Sequence, residues 1–266
     1  MRIDLPGLAK RATNRRRSSV TLRDIIPPAV LATDLSRAGY VPTIALITRT
    51  AERVIAEYER TLSTLTTDAP ADINGILDDA DRELTRLFYQ LRPAMRDWVL
   101  RVERWHRGKW RGAVLAASKV DLTTLIGPED VAETLDQILA WNVELVADVS
   151  RQTRQRISSA VFDGLRARTP ARDVAKVIRE ATGMARDRSV RIASDQLTKL
   201  TSSLASERRR QAGLDKWEWR SSHKQHFRPE HAARDGKVYS DGNAPKDLPG
   251  ALPFCGCRER AVLEFS

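Results

Sequence analysis

A regular spacing of apolar residues from Ile73 to Trp105 constrains the fold of this chain more than any other feature. An apolar residue at every third or fourth position forms a stripe along one side of a helix, and that stripe has to be buried. The spacing predicts a long amphipathic helix or a helical hairpin, with Pro93 as a kink. We expect the tryptophans on the stripe, Trp98, Trp105 and Trp110, to lie in the core. The alternative is a platform on which nucleic-acid bases stack.

Helical patterns recur on both sides of this segment. Gly and Pro are few in the chain, whereas Ala, Leu, Arg and acidic residues are plentiful, which favours helix over most of the length. Proline, glycine and capping residues mark where helices begin and end. They predict helices after Pro42 to about Leu65, from Pro128 towards Leu165, between Thr169 and Gly183, and from about Ala185 to Gln211.

The pattern changes after Gly213. "KWEWRSS" alternates between apolar and polar residues, "ARDGKVY" contains a turn signal at Asp235 and Gly236, and "ERAVLEF" is compatible with a strand. We therefore predict a mostly α N-terminal region with a smaller α+β C-terminal module, separated by a boundary near residues 150–185. The expected divisions are a flexible basic arm over 1–28, an α-helical region over 29–184, and the α+β module over 185–266.

The net charge of +10 is unevenly distributed. Residues 1–150 hold 21 basic and 21 acidic side chains, so the whole excess lies in residues 151–266. An asymmetry of this kind suits a polyanion or an acidic protein surface, although arginines also simply solvate helix faces. For contact with DNA phosphates, without base specificity, the candidates are Lys10, Arg11, Arg15, Arg16, Arg17, Arg208, Arg209 and Arg210.

The N-terminal residues lack the apolar core of a signal peptide, and no later run reaches the roughly 18 apolar residues of a membrane span. We therefore expect a cytosolic protein that does not interact with membranes. A disulfide between the two cysteines is not expected, because only one residue separates them and the cytosol is reducing.

Most of the histidine and cysteine of the chain is concentrated near the C-terminus. Three of the four histidines lie between Ser221 and Tyr239, and both cysteines form the "CGC" at Cys255 to Cys257. Imidazole and thiolate are the ligands that zinc prefers, and a small module gains folding free energy from such a site. The predicted ligands of a structural zinc are His231, Cys255 and Cys257, with His226, His223 or Asp235 as the fourth and His226 favoured. The alternative is hydrogen-bonded histidines beside cysteines packed as small apolar residues.

A metal-dependent nuclease, or another nucleic-acid-processing factor, is the second interpretation of the histidines. In such an enzyme one His activates water while others hold a divalent ion. The cluster lacks the paired carboxylates that Mg²⁺ favours, and the sequence has no Gly-rich phosphate loop, G-x-S-x-G or H-E-x-x-H motif. We therefore expect a protein without enzymatic activity.

From about Arg186 onwards, the order of features resembles the phage Mu protein F-like family of minor head proteins. A polar helix leads into the tryptophan-containing strand "KWEW", the run "RPEHAARDGKVY" resembles the family signature, and "LPFCGC" resembles its closing segment. The matching positions are Arg228, Pro229, His231, Asp235, Gly236, Tyr239, Pro253, Cys255 and Cys257. Where family members usually carry an acidic residue and an Arg before this signature, the chain has Lys224 and Gln225.

The resemblance implies a minor capsid or head morphogenesis protein of a tailed double-stranded DNA bacteriophage. Such proteins are encoded beside the portal protein and occur in few copies in the head. The implied partners are the portal protein, the major capsid protein, or both, and the packaged DNA. The implied location is the virion, at the head interior or portal vertex, and the host cytoplasm during assembly. A plain DNA-binding assembly factor is a further alternative.

Overall fold

The computed structural model describes residues 3–13, 18–64, 69–223 and 227–265, and these residues are mostly helical. The helices are α1 (Leu5–Ala12), α2 (Ala29–Leu35), α3 (Val41–Thr64), α4 (Ala69–Ser118), α5 (Ala132–Ala167), α6 (Ala171–Gln211) and α7 (Pro229–Ala232). A π-helical turn, Ser36–Tyr40, joins α2 to α3, and single 3₁₀ turns lie at Glu129–Val131 and Asp241–Asn243. Within these ranges, no helix combines the length and the apolar character needed to cross a membrane.

The long apolar stripe forms one helix and not a hairpin. Helix α4 is 50 residues long and continues on both sides of Pro93. Trp98 and Trp110 are buried and Trp105 is half-buried, which confirms a core role for the first two. The predicted helix end at Gly183 is wrong, because α6 runs through it without a break. Gly183 keeps a negative φ, and a single glycine costs a long helix only about 1 kcal/mol.

The strands form one four-stranded antiparallel sheet in the order β1-β4-β2-β3. They comprise Ser19–Thr21 (β1), Lys216–Arg220 (β2), Val238–Ser240 (β3) and Arg258–Glu264 (β4). The alternation predicted for β2 is confirmed, since Trp217 and Trp219 are buried on one face. These observations confirm a helical N-terminal region and a smaller C-terminal module that contains the sheet.

The prediction of a flexible arm over residues 1–28 is wrong for its described part. Leu5 and Ala9 of α1 are fully buried, and Val20 of β1 pairs with Leu263 of β4. Beyond β1, Arg258 donates two hydrogen bonds to Asp24, at 2.9 and 2.7 Å. Pairing over more than two hundred residues leaves no local pattern in the sequence, which is why the basic composition of the arm was misleading.

The C-terminus of α6 explains how the N-terminal segment is held. Gly213 adopts φ +70, its amide bonds to the Arg210 carbonyl, and the Leu214 amide bonds to the Arg209 carbonyl. These two hydrogen bonds form a Schellman motif, which requires a left-handed residue. The Ile3 amide then donates to the Gln211 carbonyl at 2.6 Å, so the chain start lies against the end of α6.

The chain forms two compact units, and neither is continuous in sequence. The first contains residues 1–32, 99–138 and 194–266, and the second contains 33–98 and 139–193. This differs from the predicted division at residues 28 and 184, because α4, α5 and α6 each contribute residues to both units. Contiguous segments read from a sequence cannot represent helices that are shared in this way.

Each unit has its own hydrophobic core. In the first unit, Leu5, Trp110, Leu122 and Leu263 belong to the larger cluster, and Trp217 and Trp219 form a smaller one with the two cysteines. The core of the second unit contains Val54, Tyr58, Ile73, Val161 and Ile178 among others. The smaller cluster of the first unit contains the two cysteines described next, and its Trp219 contacts the ring of His231.

Candidate metal centre

Helix α7 directs His231 into the protein. Pro229 occupies the first turn, where its fixed φ suits a helix and its missing N–H is not needed. Arg228, extended just before the helix, donates a hydrogen bond to the Pro253 carbonyl at 3.1 Å. The Arg-Pro-x-His stretch thereby starts a short helix, ties it to the loop before the cysteines, and leaves His231 only 3% exposed.

The loop that carries the cysteines is held in a defined shape. Gly250 and Phe254 both have left-handed backbone conformations, with φ of +78 and +59. The Phe254 amide donates to Asp195 of α6 at 2.7 Å, and Asp195 is paired with Lys199 at 2.6 Å. A left-handed conformation at a non-glycine residue costs about 1–2 kcal/mol and persists only where the surroundings impose it. The loop is therefore fixed to α6 just before Cys255.

The two thiols and the imidazole converge on one point. His231 Nδ1 lies 3.4 Å from Cys255 Sγ and 3.6 Å from Cys257 Sγ. The three ligand atoms all lie within 4.8 Å of one another, and all three residues are buried. The arrangement brings together two sulfur donors and one nitrogen donor, the set predicted from the sequence, with both sulfurs directed at the same ring nitrogen.

The other ring nitrogen of His231 is fixed by a carboxylate. His231 Nε2 lies 2.7 Å from Asp247 Oδ2, and Arg234 donates to Asp247 Oδ1, also at 2.7 Å. Burial raises the pKa of Asp247, but the hydrogen bonds from Arg234 and His231 outweigh it, so the pKa lies below its usual value. An ionised carboxylate only accepts hydrogen bonds, so Nε2 carries the proton and donates. In the neutral ring, Nδ1 is then left with its lone pair facing the sulfurs.

Trp219 closes the site on the side of the sheet. Its ring contacts the His231 ring edge-on, with centroids 5.0 Å apart, and the Arg234 guanidinium lies over the Trp219 ring, 5.0 Å from its centroid. The Gly236 amide donates to the Trp219 carbonyl at 2.8 Å, and Gly236 has φ +76. Asp235 accepts a hydrogen bond from the Ser221 amide at 2.7 Å. The Asp-Gly turn therefore fixes the strand that carries Trp219.

The two thiols influence each other's ionisation. A hydrogen bond from the Cys257 thiol lowers the pKa of Cys255, against the opposing effect of burial. The same hydrogen bond and burial raise the pKa of Cys257. One thiolate therefore forms readily at this site while the second retains its proton, and a bound cation is the usual means of removing such a proton.

The other predicted metal ligands do not join this group. His226 lies outside the described residues, so its assignment stays a prediction. His223 is exposed, with Nε2 at 3.3 Å from Asp235 Oδ2, and it has a left-handed backbone with φ +50. Asp235 also contacts Arg220 at 3.3 Å. These two alternatives for the fourth ligand, His223 and Asp235, are paired with each other away from the sulfurs.

Sequence reasoning missed the residues around the imidazole. Asp247 lies in the polar loop "APKDLPG", sixteen positions beyond His231, where its carboxylate has no distinguishing local pattern. Arg234 resembles the other arginines of a basic region. A usable signal was that a histidine ligand generally needs a partner for its second nitrogen, which would have directed attention to the carboxylates between the histidines and the cysteines.

The structure separates the predicted DNA-binding residues into three groups. Lys10 and Arg11 are exposed at the end of α1, and Arg15, Arg16 and Arg17 lie outside the described residues. Arg210 is half-exposed and pairs with Glu207 at 2.9 Å.

The prediction that Arg208 and Arg209 contact DNA is wrong, because both side chains are buried. Arg208 pairs with the buried Glu103 at 2.5 Å and lies 2.8 Å from His106 Nδ1. Arg209 pairs with Glu259 at 3.2 Å and Asp241 at 2.5 Å. Consecutive residues on a helix point about 100° apart, so a run of three cannot share one surface.

His106 is the uncharged member of the group that contains Arg208 and Glu103. Burial, and then the Arg208 charge, lowers the pKa of His106 well below its usual value. His106 therefore accepts a hydrogen bond from Arg208, while Glu103 supplies the negative charge. Arg208 and Glu103 therefore form an internal ion pair.

Comparison with known proteins places this site within a family match. Residues 155–260 match the family model described as Phage Mu protein F like protein, a range that contains His231, Cys255 and Cys257. A Haemophilus influenzae (strain ATCC 51907 / DSM 11121 / KW20 / Rd) protein, described as uncharacterized, is 26% identical over 148 residues. That match covers 54% of this chain and 33% of the relative, so the chain spans about a third of the relative's length. No solved structure gives a significant match. Residues 155–260 of this chain are therefore similar to the Phage Mu protein F-like family.

Proposed function

We propose that this protein is a minor head morphogenesis protein of a tailed double-stranded DNA bacteriophage, acting at or near the portal. The observation that supports the proposal is the family match over residues 155–260, since the family is one of phage head morphogenesis. The proposed location is the virion, and the host cytoplasm during assembly. The proposed partners are the portal protein, the major capsid protein, or both.

The burial of the candidate metal centre favours a structural role over the nuclease interpretation. A catalytic metal keeps an open position for water or substrate, whereas a structural site is closed. His231, Cys255 and Cys257 are each no more than 4% exposed. A phosphodiester would not reach a cation held by these three groups without opening of the cysteine loop.

The experiment that tests the proposal is quantitative mass spectrometry of purified procapsids and mature virions from the producing phage. Peptides of this chain are compared with those of the portal and major capsid proteins in the same particles. We expect this chain at a small fraction of the major capsid copy number. Its absence from both particles would contradict the proposal and move the nuclease and DNA-binding interpretations ahead.

A direct assay addresses the nuclease alternative. Purified protein is incubated with plasmid DNA and Mg²⁺, Mn²⁺ or Zn²⁺, and we expect no cleavage. Cleavage that is abolished in His231→Ala would make the protein a metal-dependent nuclease. Cleavage that persists in this variant would point to contamination, which a second preparation purified by another route would identify.

DNA contact is proposed for the exposed basic residues at the end of α1. Lys10 and Arg11 are exposed and present two positive charges to solvent. When such charges neutralise DNA phosphates, the logarithm of the binding constant falls linearly with the logarithm of the salt concentration. We expect the variant Lys10→Gln/Arg11→Gln to bind DNA more weakly, with a log–log slope shallower by about 0.9 for each phosphate that the variant no longer neutralises. The matched control is Arg172→Gln/Lys176→Gln, which removes two exposed charges elsewhere. Equal binding by both variants would exclude the end of α1 as a DNA-binding surface.

A further inference from the structure

We propose that His231 Nδ1 and the Cys255 and Cys257 sulfurs hold one structural Zn²⁺, with Asp247 orienting the imidazole. The inference concerns the fold of this chain and does not depend on the role in head assembly.

The donor separations match those of a tetrahedral zinc. With Zn–S of about 2.3 Å and Zn–N of about 2.0 Å, a tetrahedral angle places sulfur and nitrogen about 3.5 Å apart. The observed separations from His231 Nδ1 are 3.4 Å to Cys255 Sγ and 3.6 Å to Cys257 Sγ. A zinc ion at these bond lengths therefore fits between His231 Nδ1 and either sulfur, and all three donors lie within 4.8 Å of one another.

Hydrogen bonding alone does not account for the convergence of both sulfurs on one nitrogen. Because His231 Nε2 donates to Asp247, Nδ1 of the neutral ring offers a single lone pair. That lone pair accepts a hydrogen bond from one thiol only, so a hydrogen bond between the two thiols still leaves the approach of the second sulfur to Nδ1 unexplained. A metal ion satisfies all three donors at once.

Charge and donor chemistry select zinc. Two thiolates and one neutral imidazole compensate a dication, which leaves a site without net charge in a buried environment. Two sulfurs and one nitrogen exclude Mg²⁺ and Ca²⁺, which require oxygen ligands. Asp247 supplies the carboxylate that commonly supports a zinc-bound histidine, and Arg234 holds that carboxylate in place.

The position of the site explains why the fold would need a cation there. Among the residues that the structure describes, the apolar cluster at the site has four buried members, Trp217, Trp219 and the two cysteines. A core of this size supplies little stabilisation, and small modules commonly gain it from a structural metal. Zinc would join α7 to the loop before β4. Its ligands in these two segments, His231 and Cys255, are 24 residues apart in sequence.

The first test is metal analysis of the full chain purified under reducing conditions without added chelator. We expect about one zinc per chain by inductively coupled plasma mass spectrometry. Cys255→Ser and Cys257→Ser should lose it, while His223→Ala, an exposed histidine nearby, should retain it. Zinc-free wild-type protein that fails to take up zinc, or cysteine variants that hold as much zinc as the wild type, would overturn the proposal.

A second measurement keeps the test independent of whether the variants fold. Co²⁺ added to metal-free full-length protein should give sulfur-to-cobalt charge-transfer absorption and the intense visible bands of a tetrahedral complex, both removed by one equivalent of Zn²⁺. Octahedral cobalt spectra without charge-transfer bands would contradict two thiolate ligands. A Cys255–Cys257 disulfide in protein prepared with reductant would contradict the proposal as well.

Discussion

At the scale of single residues, function follows from what a side chain faces. His231 has two neighbours that determine its role, since Asp247 fixes one ring nitrogen and the cysteine sulfurs face the other. Arg208 and Arg210 are two positions apart on α6, yet one is buried in an ion pair and the other faces solvent. Identical residue types in one short run therefore serve stability in one case and the surface in the other.

Asp247→Asn should weaken zinc binding without abolishing it. The amide still accepts from His231, but it loses the charge that supports the imidazole and the ion pair with Arg234. Loss of such a supporting group typically costs about 10–100-fold in metal affinity. Competition with a chromophoric chelator measures the change, and the exposed Asp215→Asn is the control. An affinity equal to that of the wild type would show that Asp247 does not act through the metal site.

Arg208→Met should destabilise the protein far more than Arg210→Met. The first change removes the shorter of the two ion pairs of the buried Glu103, 2.5 Å to Arg208, and leaves only the 3.4 Å contact with Arg107. Breaking a buried pair by removing one partner typically costs about 3–5 kcal/mol. The second removes a partly exposed pair with Glu207, and such pairs contribute little. Urea unfolding followed by circular dichroism measures both free energies. Similar values for the two variants would contradict the assignment of Arg208 as a buried structural residue.

At the scale of elements, local sequence patterns predicted whether a segment is a helix or a strand better than they predicted where that segment ends. The apolar stripe from Ile73 to Trp105 specified α4, and alternation specified β2. The helix end predicted at Gly183 is wrong because a glycine favours a helix end where it adopts a left-handed conformation, as Gly213 does. The grouping of His231 with the two cysteines was predictable because rare residue types were concentrated together. The part played by Asp247 was not, since carboxylates are common.

Alanine substitution should change stability in opposite directions at Gly183, inside α6, and at Gly213, just after its end. Gly213→Ala forces a Cβ onto a left-handed residue, 3.0 Å from the Ile3 carbonyl oxygen, and should destabilise by about 1–2 kcal/mol. Gly183→Ala adds a Cβ with no atom within 4 Å in a helix interior, and should stabilise by about 0.5–1 kcal/mol. Thermal unfolding of both variants measures the two changes in stability. A loss of stability in Gly183→Ala would argue against a continuous α6.

At the scale of the whole molecule, sequence order and spatial order differ. Residues 1–32 belong to the same compact unit as residues 194–266, although a helical region lies between them in sequence. Composition correctly suggested a basic N-terminal segment but gave no information about its partner, because the pairing of β1 with β4 depends on tertiary structure. The family match begins at residue 155, within α5, and so does not coincide with either unit.

Leu5→Ala should test whether the N-terminal segment belongs to the folded core. Leu5 is fully buried in the first unit, and removal of a buried leucine side chain typically costs about 2–5 kcal/mol. Lys10→Ala, on the exposed side of α1, should have little effect. Denaturant unfolding of the two variants gives the comparison. Equal stability of Leu5→Ala and the wild type would support the prediction that the N-terminal segment is a flexible arm.

The pairing of β1 with β4 has a consequence for synthesis on the ribosome. Strand β4 lies between β1 and β2 in the sheet, yet it is the last of the four strands to be translated. At about 5–20 residues per second, roughly 10–50 s separate the appearance of β1 from that of its partner. During that interval strand β1 lacks the strand with which its backbone pairs, whereas several packing partners of α1, such as Trp110 and Leu122, have already been translated. The sheet can therefore close only after β4 has been translated. A product truncated before Arg258 would leave the edge of β1 unpaired, and chaperones and proteases could recognise it by that exposed strand.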